Sequence, residues 1–161
     1  MKKAFMLIGV PGAGKSTWCK NNPVENSVKI STDDFIEHIA RMTNSTYDVV
    51  FESAINDATK NMNTALQFAI ANNKHIIWGQ TNTSANSRKK KLKKIPNDYV
   101  KIAVVFETPE EDTLNFRLNN RVGKTIPNHI MKSMINGFEL PTLTEGFDEI
   151  IYVSNKGVGT N

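Results

Sequence analysis

Apolar positions along the 161-residue chain gather into short runs separated by longer amphipathic stretches. Residues 3–9 (KAFMLIG) are a short apolar run closed by glycine, which predicts a buried strand. Residues 27–31 (SVKIS) alternate apolar and polar side chains, the two-residue period of a second strand. HIIWG at 75–79, VKIAVVFE at 100–107 and EIIYVS at 149–154 predict three more.

The stretches between them have helical character. Lys15 to about Asn22 reads as a helix ended by Asn21-Asn22-Pro23, because proline disfavours helix in the residue before it. Asp33 to about Met42 begins on acidic residues, which the positive end of a helix dipole stabilises. Over 47–72, Val50, Ala54, Ala58, Met62, Ala65, Leu66 and Ala69 recur at helical spacing and predict one long helix. Helical stretches also fall at 84–94, 109–120 and 127–138. Strand and helix alternate throughout, which predicts an α/β sandwich with a mainly parallel sheet. No repeat, low-complexity tract or Pro/Gly-rich linker interrupts the alternation, so residues 1–161 read as a single domain.

Composition narrows the function classes only a little. The chain is 39% hydrophobic and 22% charged, ordinary for a soluble globular protein. No apolar run approaches the ~20 residues of a membrane span. The apolar stretch after Met1-Lys2-Lys3-Ala4 is too short for a signal sequence. Cys19 is the lone cysteine, so no internal disulfide forms, and a cytoplasmic location is expected. A net charge of +4 and a pI near 9.2 tilt the protein mildly toward polyanionic partners.

The chemistry begins at Gly9-Val10-Pro11-Gly12-Ala13-Gly14-Lys15-Ser16, followed by Thr17. This stretch matches G-x-x-x-x-G-K-[ST], directly after a predicted strand and before a predicted helix. Glycines let backbone N–H groups turn inward and approach phosphate oxygens, and the next helix aims its free N–H groups at the same place. Lys15 can reach the β- and γ-phosphates, and the Ser16 hydroxyl can sit on Mg²⁺. The loop therefore predicts a nucleotide site built from Gly9, Pro11, Gly12, Ala13, Gly14, Lys15, Ser16 and Thr17. The Asn-Lys-x-Asp base-reading motif of regulatory GTPases is absent, and the small size suits a kinase. No Walker-B aspartate follows the strand ending at Gly79; Gln80 stands where one is expected, which leaves Mg²⁺ to Ser16, phosphates and water.

On the acceptor side, "ISTDDFIEH" places Asp33 and Asp34 at the end of the second strand, where either can act as general base for an attacking hydroxyl. A bland alternative is that Thr32 caps a helix and both aspartates merely complement its dipole. Arg117 and Arg121 share a helix face at i, i+4 and lead into Val122-Gly123-Lys124, a segment able to close over a nucleotide. An arginine there neutralises charge on the transferred phosphoryl group. The basic run Arg88 to Lys94 reads either as a solvated face or as a track for backbone phosphates. Trp18, Phe35, Tyr47 and Phe51 are candidate stacking aromatics, although the helical spacing of Trp18 and Phe51 favours a core role for those two.

Four stretches carry a resemblance: "GVPGAGKSTW", "STDDF", "QTNTSANSR" and "RLNNRVGKTIP…FELPTLTEGF". In order and spacing they resemble the kinase domain of the polynucleotide kinases of phages and animals. The resemblance implies a P-loop kinase three-layer sandwich with a helical lid, ATP and Mg²⁺ as cofactors, and a DNA or RNA 5′ end as partner. It implies catalytic roles for Lys15, Asp33 and Arg121, with Arg117 and Arg121 on the donor phosphates and Ser16 on the metal. Two positions depart from the phage pattern. Ile36 replaces an arginine that engages the acceptor's phosphate, and Gln80 replaces an aspartate before Thr81-Asn82. The phosphatase domain of those relatives has no counterpart, so 3′-phosphate removal is expected to fall to another chain. Two other readings stay open: a kinase for a different hydroxyl (a nucleoside, a modified base or a small metabolite), and a nucleotide-binding pseudokinase.

Overall fold

The computed structural model describes residues 1–154. Five strands, β1 Lys3–Ile8, β2 Ser27–Ile30, β3 His75–Trp78, β4 Val100–Phe106 and β5 Glu149–Val153, form one sheet in the order β2-β3-β1-β4-β5. Every pairing is parallel, so the mainly parallel sheet expected from the pattern is wholly parallel among the described residues. The physical reason is in the connections. Each passes through at least one helix, and a helical crossover returns the chain in the same direction.

Six helices supply those crossovers: α1 Lys15–Asn21, α2 Thr32–Met42, α3 Tyr47–Ala71, α4 Ala85–Leu92, α5 Glu111–Asn119 and α6 Asn128–Asn136. A 3₁₀ turn at Leu143–Glu145 precedes β5 and was not legible in the periodicity. On one face of the sheet, Met6, Ile8, Ile76, Trp78 and Val105 pack against Met62 and Leu66 of α3 and Leu92 of α4. On the other, Leu7, Ile77, Val104 and Phe106 pack against Leu114 of α5 and Met131 of α6. Alternate residues of one strand thus serve two cores, and three layers result. No described helix is long and apolar enough to cross a membrane.

Trp18 lies edge-on to Phe106 with ring centroids 6.0 Å apart and packs, partly buried, against the core, as its spacing favoured. Phe51 departs from that expectation: it is 39% exposed, with its ring centroid 5.7 Å from that of Tyr47. The basic run is not one continuous phosphate track. Arg88 is fully buried and bonds Glu145 at 2.8 and 3.2 Å, while its Nη1 donates to the Asn82 carbonyl at 2.9 Å. Lys91 donates to the Asn82 side chain. Only Lys89, Lys90, Lys93 and Lys94 of the run point outward. A helix of eight residues has to bury one side, and α4 buries Arg88 and Leu92.

Because the strands are parallel, β1, β2 and β3 end on the same edge, and the crossover leaving β1 for β2 runs toward one side of the sheet while those from β2 to β3, β3 to β4 and β4 to β5 run toward the other. Open α/β sheets bind ligands at such a switch point. Two backbone bonds stitch the edge: Gly9 N to Thr81 O at 2.9 Å and Gly79 N to Ile30 O at 2.8 Å.

Candidate active site

The loop between β1 and α1 turns tightly enough to need glycine. Gly12 has φ 85°, and a Cβ there would meet Leu114 Cδ1 at 2.9 Å. The close approach of α5 to this loop has a second anchor, Arg117 Nη1 donating to the Gly12 carbonyl at 2.9 Å. Arg117 therefore supports the loop's backbone besides lining the cavity beside it.

That cavity encloses about 360 Å³. Pro11, Gly12, Gly14, Lys15, Ser16 and Thr17 line it on the loop side, with Asp33, Asp34, Arg117 and Arg121 completing the set predicted from sequence. Gly9 and Ala13 do not line it; both are buried and shape the loop from behind.

Lys15 Nζ donates to the carbonyls of Gly9 at 2.5 Å and Val10 at 3.0 Å. Burial lowers its pKa from 10.5 to about 7, against the pull of Asp33 and with the push of Arg121, Lys124 and Lys29. Arg121 shows the complementary strain: its Nε and Nη2 are buried and have no hydrogen-bond partner. A buried donor left unpaired costs about 1–3 kcal/mol, and more when charged, so an anion at this spot relieves the site. The chain's own groups fit a nucleotide's phosphates.

Asp33 sits in the first turn of α2, capped by Ser31, whose hydroxyl accepts from Asp34 N at 3.4 Å. The cap is Ser31 and not Thr32, and neither aspartate caps, which leaves both carboxylates to other partners. Asp33 Oδ1 accepts from the Tyr47 hydroxyl at 2.6 Å, and Oδ2 pairs with Lys124 Nζ at 3.2 Å. Asp34 turns instead to Lys29 at 3.3 Å. Burial, then the bond to Asp33, raises the Tyr47 pKa above its ordinary value, so the hydroxyl stays a donor. Lys124 also bonds Glu37 at 2.9 Å and lies 4.5 Å from the Tyr47 ring centroid.

Sequence reasoning named Tyr47 only as an aromatic and Lys124 only as part of a lid. Their convergence on Asp33 spans 14 and 91 residues, and no local pattern announces such a contact. Gln80, in the Walker-B place, accepts from Trp78 Nε1 at 3.0 Å and donates to Thr32 Oγ1 at 3.3 Å. Asn82 is buried, and its amide donates to the Leu7 carbonyl at 2.8 Å, tying the loop after β3 to the end of β1.

The segment after α5 is fastened to the start of α3. Asp48 N donates to the Gly123 carbonyl at 2.9 Å, and the Asp48 carboxylate accepts from Thr125 N at 3.0 Å and Thr125 Oγ1 at 2.8 Å. Gly123 has φ 70°, and a Cβ there would lie 2.5 Å from Thr46 Cβ. Gly123→Ala is expected to push the segment off α3 and lower turnover by roughly tenfold or more, with a loss of about 1–3 kcal/mol from backbone strain. Steady-state kinetics beside a urea melt checks both; unchanged turnover would detach this segment from the site.

Fold and site together define the class: this is a P-loop kinase fold, with the phosphate-binding loop at the switch point of a parallel sheet. Residues 5–141 match the family described as an AAA domain, and the chain belongs to that family. The human heterogeneous nuclear ribonucleoprotein U-like protein 2 is 23% identical over 162 residues, covering 93% of this chain and 21% of that protein. The chain thus spans about a fifth of that curated relative. Among solved structures, a chain of the Pnkp1/Rnl/Hen1 RNA repair complex has a TM-score of 0.67 at 23% identity, covering 84% of this chain and 43% of that one. A chain of the PezAT chromosomal toxin-antitoxin system of Streptococcus pneumoniae has a TM-score of 0.71 at 17% identity, covering 97% and 68%. At these identities the structural likeness is one of fold.

Proposed function

We propose that the protein transfers the γ-phosphoryl group of ATP to a 5′-hydroxyl end of DNA or RNA. The observation that carries this reading is one cavity lined by Lys15, Ser16, Asp33 and Arg121, a donor-phosphate cradle and a carboxylate base side by side. The acceptor's O–H bond breaks and its proton passes to Asp33, while the oxygen forms a bond to the γ-phosphorus. The β–γ bridging bond breaks, and its electron pair leaves on the diphosphate. Lys15 and Arg121 balance the charge that spreads over the transferred group, and little covalent chemistry is asked of the protein.

Mg²⁺ belongs to this reading through Ser16. No group of three or more His, Cys, Asp or Glu able to hold an ion exists among the described residues. The Ser16 hydroxyl at the start of α1 suits an ion that keeps most of its ligands as water and phosphate oxygen. When bound, the ion neutralises charge between the β- and γ-phosphates.

The choice of a polynucleotide rests on the four resembling stretches, two of which meet in the buried Arg88–Glu145 pair, and on the fold shared with an RNA repair assembly. One observation favours a second reading, a kinase for a nucleoside or small metabolite. Ile36, where the phage pattern has a phosphate-engaging arginine, is fully buried between α2 and α3.

Incubation with γ-labelled ATP, Mg²⁺ and matched 5′-hydroxyl DNA and RNA oligonucleotides separates the two. Label is expected at the 5′ end, falling by about 10²-fold in Asp33→Asn, the worth of a general base. Label on nucleosides but not on oligonucleotides establishes the second reading. Bound ATP with no transfer to either, and no change of partner-dependent behaviour in Asp33→Asn, leaves a nucleotide-binding module.

A further inference from the structure

We propose that Tyr47 and Lys124 are positioning residues for Asp33, and that through Lys124 the segment carrying Arg121 controls when the base is aligned. The inference rests on the reading of Asp33 as the acceptor's base.

Asp33 needs holding. Its side chain is 50% exposed, at the first turn of a helix, and nothing on α2 itself fixes its carboxylate. Two other elements do so. The Tyr47 hydroxyl, from the start of α3, takes Oδ1 at 2.6 Å, and Lys124 takes Oδ2 at 3.2 Å. An ionised carboxylate offers about four lone-pair directions, so two remain open, and their direction is set by the two that are filled. A proton arriving from an acceptor hydroxyl meets an oxygen already oriented.

Lys124 is poorly suited to an incidental surface contact. Its side chain is only 18% exposed, and its ammonium is shared between Asp33, Glu37 and the Tyr47 ring. Glu37 lies one turn beyond Asp33 on α2, so the lysine spans both acids of one helix face. The loop bearing it is held by the Asp48 bonds to Gly123 and Thr125. Three residues earlier, Arg121 presents its unpartnered nitrogens at the phosphate cavity.

One short segment therefore carries a group for the donor and a group for the base. With the segment seated on α3, Arg121 and Lys124 are in place together; with it displaced, both are lost. Alignment of the base then follows closure over the nucleotide, which keeps an open site from passing the phosphoryl group to water.

The test is a double-mutant cycle in turnover. Tyr47→Phe and Lys124→Ala are each made alone and in an Asp33→Asn background, with Lys124→Arg as a conservative rescue. Each single variant is expected to lower kcat roughly ten- to hundredfold, the worth of a hydrogen bond to a charged group, with KM for ATP unchanged under Tyr47→Phe. Neither is expected to lower kcat further once Asp33 is Asn, and Lys124→Arg recovers part of the loss. Effects that multiply in the Asp33→Asn background, or that track a fall in melting temperature, overturn the proposal. If the wild-type protein labels no oligonucleotide, the polynucleotide reading fails by itself. The same cycle is then read from ATP hydrolysis with water as acceptor, where non-additivity supports the positioning role. Hydrolysis indifferent to Asp33 overturns it.

Discussion

Lys15→Met is expected to lower phosphoryl transfer by roughly 10³-fold, the upper end for removing one charge-stabilising donor, while the ligand-free fold becomes more stable near neutral pH. The two effects have one cause. The ammonium is held against the Gly9 and Val10 carbonyls in a site whose burial pulls its pKa from 10.5 to about 7. Between those values the unfolded chain binds the proton that the folded chain releases, so this lysine disfavours folding as pH falls from 10.5 toward 7. The parent's stability therefore gains from this group as pH rises through that window, and the variant lacks the gain. Urea melts of both proteins at pH 7 and pH 9 measure it; a variant less stable than its parent at both values would refute the account. Nucleotide binding adds a second readout. Phosphates restore the charged form, so binding above pH 7 takes up protons, visible as a buffer-dependent heat of binding.

Arg88→Ala is expected to cost about 3–5 kcal/mol of stability, which puts a domain of ordinary stability close to unfolding. Arg88 is fully buried and Glu145 is 17% exposed, so removal of the guanidinium leaves a nearly buried carboxylate without its cation. It also leaves the Asn82 carbonyl without its donor, at the loop that abuts the phosphate-binding loop. Burial pushes the Glu145 carboxyl up, but the bonds from Arg88 and Thr142 outweigh it, and the group titrates below its ordinary range. Stability contributed by this pair is present above the ordinary glutamate range and is lost as pH falls through the lowered value. A double replacement of Arg88 and Glu145 by apolar residues of similar volume should cost much less than the single one. Chemical denaturation of the three variants distinguishes a broken pair from lost packing.

The contrast between Lys15 and Arg88 bears on how basic residues are read. Both look alike in composition, and the run around Arg88 looks more like a polyanion track than the isolated Lys15 does. In the folded protein the isolated lysine lines the phosphate cavity, while the arginine within the run is a core residue. The periodicity of α4 carries part of this answer, since Arg88 and Leu92 fall at i, i+4. A charged residue on an apolar stripe is recognisable only when its partner is known, and Glu145 lies 57 residues on.

What was legible in the chain was local. Every predicted strand and helix is present, with ends displaced by two residues at most, because a two-residue or 3.6-residue period is written over consecutive positions. The phosphate-binding loop was legible for the same reason: its glycines, lysine and serine do their work within eight residues. The different partners of Asp33 and Asp34, the joining of Tyr47 and Lys124 to Asp33, the burial of Ile36 and the inward turn of Arg88 were decided only when the sheet closed. Those contacts join elements distant in sequence, and which side chains meet depends on strand order and helix packing, quantities that no window of neighbouring residues contains.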